Sequence, residues 1–222
     1  MPASLAEQTT DELGGERSVL ARQRRDHVAL DRLMNDYWAA AEPERARLLK
    51  KFTQLVFSHA FAEETVLWPV IRRLVPDGDG LTRQVEHEHQ EINELTAMLE
   101  RTKPGGSRHD EYVERIFALV RQDIRDEEDV LLPRLQDALD RRRLVQLGTA
   151  WEAARLSSPT HPHPAVPRRP PGNAVLGVPL TLFDRTRDWL MPAGRVSVAR
   201  IVGTLCAVAT FGLAVALRLR KR

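Results

Sequence analysis

Four apolar stripes at helical spacing run through residues 17–140, and each is interrupted near its middle by a histidine or a carboxylate. The stripes read Leu20, His27, Leu30, Met34; then Phe52, Val56, His59, Glu63, Val66, Val70, Leu74; then Leu81, Val85, His89, Ile92, Leu99; and last Val113, Ile116, Val120, Asp123, Glu127, Val130. Apolar residues recurring at i, i+3, i+4 and i+7 mark the face of a helix that packs inward. The interrupting groups therefore lie on the faces that must be buried. Ionisable groups are costly to bury unless they are paired or bind a cation. A chain of this kind is restricted to an all-α assembly with a shared polar layer in its interior.

The breakers between stripes are short, so consecutive helices are antiparallel neighbours. Helix one is expected over about Glu16–Ala41, and helix two over about Pro43–Leu74, with Pro43 at an early helical position. Pro76-Asp77-Gly78-Asp79-Gly80 closes the second helix. Helix three is expected from about Leu81 to Thr102, closed by Pro104-Gly105-Gly106. Helix four starts after Ser107, whose spacing to Asp110 resembles a capping box, and runs to about Leu139. The expected fold is an up-down antiparallel four-helix bundle over residues 17–140, with no strands. A short accessory helix follows at 141–156, carrying Leu144, Leu147 and Trp151. Then come a Pro-rich linker at 157–179 and a basic segment at 180–222.

The second and fourth helices match each other. His59-Ala-Phe-Ala-Glu63-Glu64-Thr-Val-Leu67-Trp-Pro69 aligns with Asp123-Ile-Arg-Asp-Glu127-Glu128-Asp-Val-Leu131-Leu-Pro133. The first and third match likewise, Asp26-His27-Val-Ala-Leu30 with Glu88-His89-Gln-Glu-Ile92. His27 and His59 are 32 residues apart, His89 and Asp123 are 34 apart, and the pattern is that of a duplicated helical hairpin. Residues four apart share a helix face about one turn apart. His59 with Glu63, and Asp123 with Glu127, can therefore reach one ion or ion pair from one helix. The candidate metal ligands are His27, His59, Glu63, His89, Asp123 and Glu127.

A lone core histidine is usually held by a backbone group, but three histidines and three carboxylates at duplicated spacing point to a site. His87 lies about 200° round the helix from His89 and faces away from the seam, as a solvated or outer group or a replacement for His89. His109 is expected at the surface, and Glu64 and Glu128, next to the ligand glutamates, are expected to be exposed rather than to lean inward. The single cysteine, Cys206, excludes disulfide scaffolds and thiolate metal sites. Imidazole and carboxylate donors suit iron, manganese or zinc.

Charge divides the chain. Residues 1–140 hold 19 Arg and Lys against 28 Asp and Glu, a net of −9, and residues 141–222 hold 14 against 3, a net of +11. An acidic domain is thus followed by a basic tail. Met1–Glu16 has no apolar core of a secretory signal, so a cytoplasmic domain is expected. Ile201–Leu217 is an uncharged run of 17 residues flanked by arginines. At 1.5 Å per residue it is near the lower limit for a membrane span and is read as a tail-anchor helix. The upstream stretch Leu180–Leu190 is read as lying at the membrane interface.

Residues of about Ser18–Asp140 resemble the hemerythrin-like, or HHE cation-binding, family. The resemblance rests on His27, on His59-x3-Glu63 with Leu67-Trp68-Pro69, on Glu88-His89-x2-Ile92, and on Asp123-x3-Glu127-Glu128 with Leu131-Leu132-Pro133. It implies a non-haem di-iron centre bridged by Glu63 and Glu127, with His27, His59 and His89 as terminal ligands. The chain departs from the family at Asp123, where a histidine is usual; the shorter carboxylate could still bind, and Asp126 or Glu128 could also take up a ligand role. A binding or sensing role towards dioxygen or a similar small molecule is expected. The alternative is a di-iron oxidase or peroxidase, disfavoured because no tyrosine or other redox residue is seen within a turn of the ligands. No nucleic-acid partner is expected, and a homo-oligomer is allowed.

Overall fold

The computed structural model describes residues 3–158. The expected linker beyond Ser158, with His161 and His163, and the segment 180–222, with Cys206 and the apolar run 201–217, lie outside the described residues. Among the described residues no helix is long and apolar enough to cross a membrane.

Helix α1 spans Val19–Ala39 and is capped by Ser18, whose side chain accepts from the Leu20 N–H. Helix α2 spans Glu44–Ala62, and α3 continues it over Trp68–Leu74 after a widened turn. Helix α4 spans Gly78–Leu99, α5 Ser107–Asp126, and α6 Leu132–Ala138 after a second widened turn. Helix α7 spans Arg141–Leu156, its first turn closed by the Asp140 carboxylate accepting from the Arg143 N–H. The described residues contain no strand.

Side-chain pairs give the directions. His59 meets Asp26 while Arg45 lies over Tyr37, so α2 runs against α1. Arg72 meets Thr82 and Glu86, and Glu64 meets His89, so α4 runs against α2 and α3. Arg115 meets Glu91 and Tyr112 meets Met98, which sets α5 against α4. Arg121 to Asp31 and Glu128 to His27 close the ring between α5 and α1. This is an all-helical bundle, as the stripes require.

Two helix starts differ from expectation. The Gly78-Asp79-Gly80 breaker is the first turn of α4, not a loop before Leu81. Gly78 packs so closely that a Cβ there would stand 2.4 Å from the Ile71 carbonyl oxygen, and Asp77 turns the chain at φ 57°. Helix α5 begins at Ser107 itself, preceded by Gly106 and without a side-chain cap, so Ser107 is not the cap that its spacing to Asp110 suggested.

The widened turns, Glu63–Leu67 and Glu127–Leu131, are π-helical: the Trp68 N–H donates to the Glu63 carbonyl and the Leu132 N–H to that of Glu127. Each is followed by a proline, Pro69 or Pro133. Proline lacks an N–H and its ring clashes with the carbonyl four residues back in an α-helix. Opening the turn by one residue relieves the clash. The extra residue also shifts the apolar phase by one position. After Glu63 the buried residues are Leu67, Trp68, Ile71 and Val75, while Leu74 is 37 % exposed. After Glu127 they are Leu131, Leu132 and Leu135, while Val130 is 39 % exposed. Leu74 and Val130, expected on the seam, are displaced from it for this reason, while Val66 and Val70 stay packed against the core at partial burial.

The core falls into two clusters. One gathers Leu20, Leu67, Trp68, Ile71, Leu132 and Trp151. The other gathers Leu30, Met34, Phe52, Ile92, Ile116 and Phe117. Their boundary on α1 falls between Leu20 and Leu30, where His27 sits. Residues 3–16, expected as a polar lead, also contribute, with Leu5 and Leu13 fully buried.

Helix α7 lies against α1 and α2, parallel to α1, with Arg22 to Glu152 and Asp26 to Arg155 as paired contacts. Gly148 allows that approach, since a Cβ there would stand 2.2 Å from the Arg17 carbonyl oxygen. Gly148→Ala is therefore expected to lower the melting temperature by several degrees, at about 2–4 °C for each kcal/mol lost in a chain of this size. An unchanged melting curve would contradict the seating of α7.

Candidate metal centre

All six candidate ligands are buried and converge between the two core clusters. His27 on α1 and His59 on α2 bring their Nε2 atoms to 3.1 Å of each other. The Glu63 carboxylate, in the first widened turn, has Oε1 3.0 Å from His59 Nε2 and Oε2 3.6 Å from His89 Nε2. The Glu127 Oε2 lies 3.2 Å from His27 Nε2, and Asp123 Oδ2 lies 3.5 Å from His89 Nε2. The donor atoms form two groups, His27, His59, Glu63 and Glu127, and His89, Asp123 and Glu127, each with all its atoms within 4.8 Å of one another. Glu127 belongs to both. His87 is exposed, whereas His89 is buried among the other candidates.

Sequence reasoning missed the layer behind the imidazoles. Glu64 and Glu128, expected to be exposed, are only 2 % and 9 % exposed. Glu128 Oε1 stands 2.7 Å from His27 Nδ1, and Glu64 Oε1 stands 2.9 Å from His89 Nδ1. Asp26 Oδ2 is 3.4 Å from His59 Nδ1. A carboxylate on Nδ1 fixes the tautomer that leaves the Nε2 lone pair free, as metal-ligating histidines require. The duplication accounts for the pairing, because His27 with Glu128 is repeated as His89 with Glu64. The third pair breaks the symmetry. Where His59 meets Asp26 in one half, Asp123 meets Glu88 in the other; burial and the Asp123 carboxylate push Glu88 up to about 7.

Two tryptophans also touch the imidazoles, which the spacing of the stripes did not bring near. The Trp151 ring of α7 meets His59 edge-on at 5.6 Å, and Trp68 stacks on His89 at 6.4 Å. Both are fully buried. The expectation that no redox-active side chain borders the ligands is thereby corrected. His109 is corrected too: it is 7 % exposed, with Nδ1 3.2 Å from Asp110 Oδ1. It lines a cavity of about 230 Å³ with Tyr37, Leu49 and Leu99 that contains none of the six candidates.

Charge in the cluster is unevenly compensated. Burial opposes a charge on His27, but Glu127 and Glu128 outweigh it and raise its pKa to about 9. His59 and His89 are raised well above the ordinary range against the same burial, chiefly by Glu63 and by Asp123 respectively. Burial would raise Glu63, but the histidines hold it down at about 2, and Gln23 Nε2 donates to its Oε1 at 2.7 Å. Glu127 has less support. Burial, with Glu63 and Asp123 beside it, pushes it up to about 8. Among the described residues, both oxygens of Glu127, Glu63 Oε2 and Asp123 Oδ1 are buried without a hydrogen-bond partner. Each such oxygen costs about 1–3 kcal/mol, and a cation is the partner that this donor set fits.

Residues 18–135 match the hemerythrin HHE cation binding domain. The chain belongs to that family. The HHE domain's buried His/Glu cluster is compatible with its cation-binding description. An uncharacterized hemerythrin-like protein of Schizosaccharomyces pombe is 26 % identical over 157 residues, covering 70 % of this chain and 75 % of that protein. A DNA nickase of Nostoc is 25 % identical over 135 residues, covering 60 % of this chain and 37 % of the nickase. No solved structure matches.

Proposed function

We propose that the HHE domain holds a non-haem di-iron centre and binds or senses dioxygen or a related small molecule. His27, His59, His89 and Asp123 are the terminal ligands in this reading, and Glu63 and Glu127 are shared between the two ions. The observation that carries it is the pair of overlapping donor groups joined through Glu127. Glu63 reaches both His59 and His89, as a shared carboxylate must. Six side chains cannot saturate two octahedral ions, so the bound irons would offer open positions to a small ligand. The chain limits what can enter. A void of about 10 Å³ lies beside His59, His89 and Asp123, walled by Leu30, Val56, Val120 and Ile124. Space for about one water-sized molecule favours a ligand of a few atoms over an organic substrate.

Anaerobic purification followed by metal quantification and optical spectra tests this reading. About two irons per chain are expected, with a near-ultraviolet band that changes on exposure to air. Zinc or no metal in such a preparation would remove it. Asp123→His is expected to keep the metal while making small-molecule binding more reversible, because it replaces a hard oxygen donor with an imidazole.

An oxidase or peroxidase is the second reading, favoured by the oxygen-rich side of the site at Asp123 and by Trp68 and Trp151 against the ligand imidazoles. Catalytic consumption of peroxide or ferrous iron supports it, and stoichiometric binding without turnover excludes it. The 201–217 run adds a tail anchor to either reading. The full chain is expected to partition with membranes and to resist alkaline carbonate extraction, and recovery in the soluble fraction would refute the anchor.

A further inference from the structure

The family match ends at residue 135, yet the wall behind His59 is supplied from beyond it. Trp151 of α7 covers the His59 ring edge-on. Arg155, one turn further along, lies 5.5 Å over the Trp151 ring and points Nη1 at Asp26 Oδ2, 3.5 Å away. That same oxygen faces His59 Nδ1. Glu152 holds Arg155 Nη2 at 3.2 Å and ties α7 to Arg22 on α1 at 2.6 Å. The other two histidines take their Nδ1 carboxylates from the bundle itself, Glu128 and Glu64. The Asp26 carboxylate at His59 is shared with α7.

We propose that Arg155 and Trp151 are positioning residues for His59, so that metal binding and the seating of α7 form one coupled equilibrium. The inference rests on the metal-site reading above. Without Arg155, Asp26 is free to turn towards water, and His59 loses the contact that fixes its tautomer and ring plane. A metal on His59 Nε2 would in turn fix the ring that Trp151 packs against. The coupling is reciprocal, as any binding linkage must be.

The experiment uses the full chain and anaerobic ferrous iron or cobalt(II) as the probe. Arg155→Ala is expected to weaken metal binding by about 10–100-fold, the usual effect of removing an outer partner of a ligating histidine. Arg155→Lys, which restores a charge near Asp26, is expected to recover much of that loss. Arg141→Ala removes an α7 ion pair, 3.1 Å to Asp11, which is remote from the site, and is expected to leave affinity unchanged. Hydrogen exchange at residues 141–156 gives the reciprocal readout. Protection there is expected to rise on metal addition in the native chain, and to stop responding in Asp26→Asn. Arg155→Ala matching the native affinity, or α7 exchanging alike with and without metal, overturns the coupling alone. A native chain that takes up no metal overturns both this inference and the reading it rests on.

Discussion

Replacing Glu127 with methionine is expected to abolish loading at both positions of the site and yet to raise the melting temperature of the metal-free protein. Glu127 is the carboxylate common to both donor groups, so in the proposed two-ion centre neither ion would keep its ligand set without it. In the metal-free protein, however, the same side chain is a burden. Among the described residues neither of its oxygens has a hydrogen-bond partner, and burial beside Glu63 and Asp123 pushes its pKa up to about 8. A carboxyl that ionises near 4.5 when unfolded and near 8 when folded costs on the order of 3 kcal/mol of stability at pH 7. An apolar chain of similar length removes that cost, as buried charges replaced by hydrophobes often do. His27 loses its contact with Glu127 but keeps Glu128 at 2.7 Å on its other ring nitrogen. Glu63→Met is expected to act with the opposite sign in the metal-free protein. Glu63 accepts from Gln23, faces His59 and His89, and is held at about 2, so its removal strands buried histidine charge. Calorimetry of the two chelator-treated variants, with metal quantification before treatment, checks both halves. Equal destabilisation by the two substitutions would show that Glu63 and Glu127 are supported alike and would contradict the asymmetry.

That asymmetry was only partly legible in the sequence. The duplicated spacing named six side chains that the fold does bring together, because helical periodicity on one face is a strong signal up to Glu63 and Glu127. Beyond those residues the periodicity fails, since each π-turn inserts one position and no hydrophobic pattern announces it in advance. Pro69 and Pro133 were the available clue: a proline continuing a helical stripe must be accommodated somewhere in the preceding turn. The same turns bring Glu64 and Glu128 inward next to Glu63 and Glu127, where simple 100° spacing had suggested exposed sides. Trp151 could not have been assigned to the site at all. Its contact with His59 depends on α7 folding back along α1, a tertiary choice made by Gly148 and by pairs such as Arg22 with Glu152.

Between about pH 5 and 9 the metal-free protein is expected to lose stability steadily, while the advantage conferred by metal grows. The folded-state pKa of His27 is raised to about 9 from an ordinary 6.5. Its stabilising contribution is therefore complete below about pH 6.5 and is lost as pH rises towards 9, on the order of 3 kcal/mol for this group. His59 and His89, also raised, act in the same direction. Glu127 adds to it, because between its ordinary 4.5 and about 8 only the folded form keeps the proton, so unfolding releases it. Glu63, lowered to about 2, works the other way in a separate window: its contribution is present above 4.5 and fades as pH falls towards 2. Stability without metal should accordingly peak near pH 5. Metal reverses the slope by competing with these same protons for the imidazole nitrogens and carboxylate oxygens, so its binding strengthens as pH rises. Scanning calorimetry at pH 6, 7 and 8 should show the melting temperatures of loaded and metal-free protein diverging. Parallel curves would mean that the protons lost on warming the metal-free protein and the protons displaced by metal come from different groups, and that the buried histidines are not the ligands.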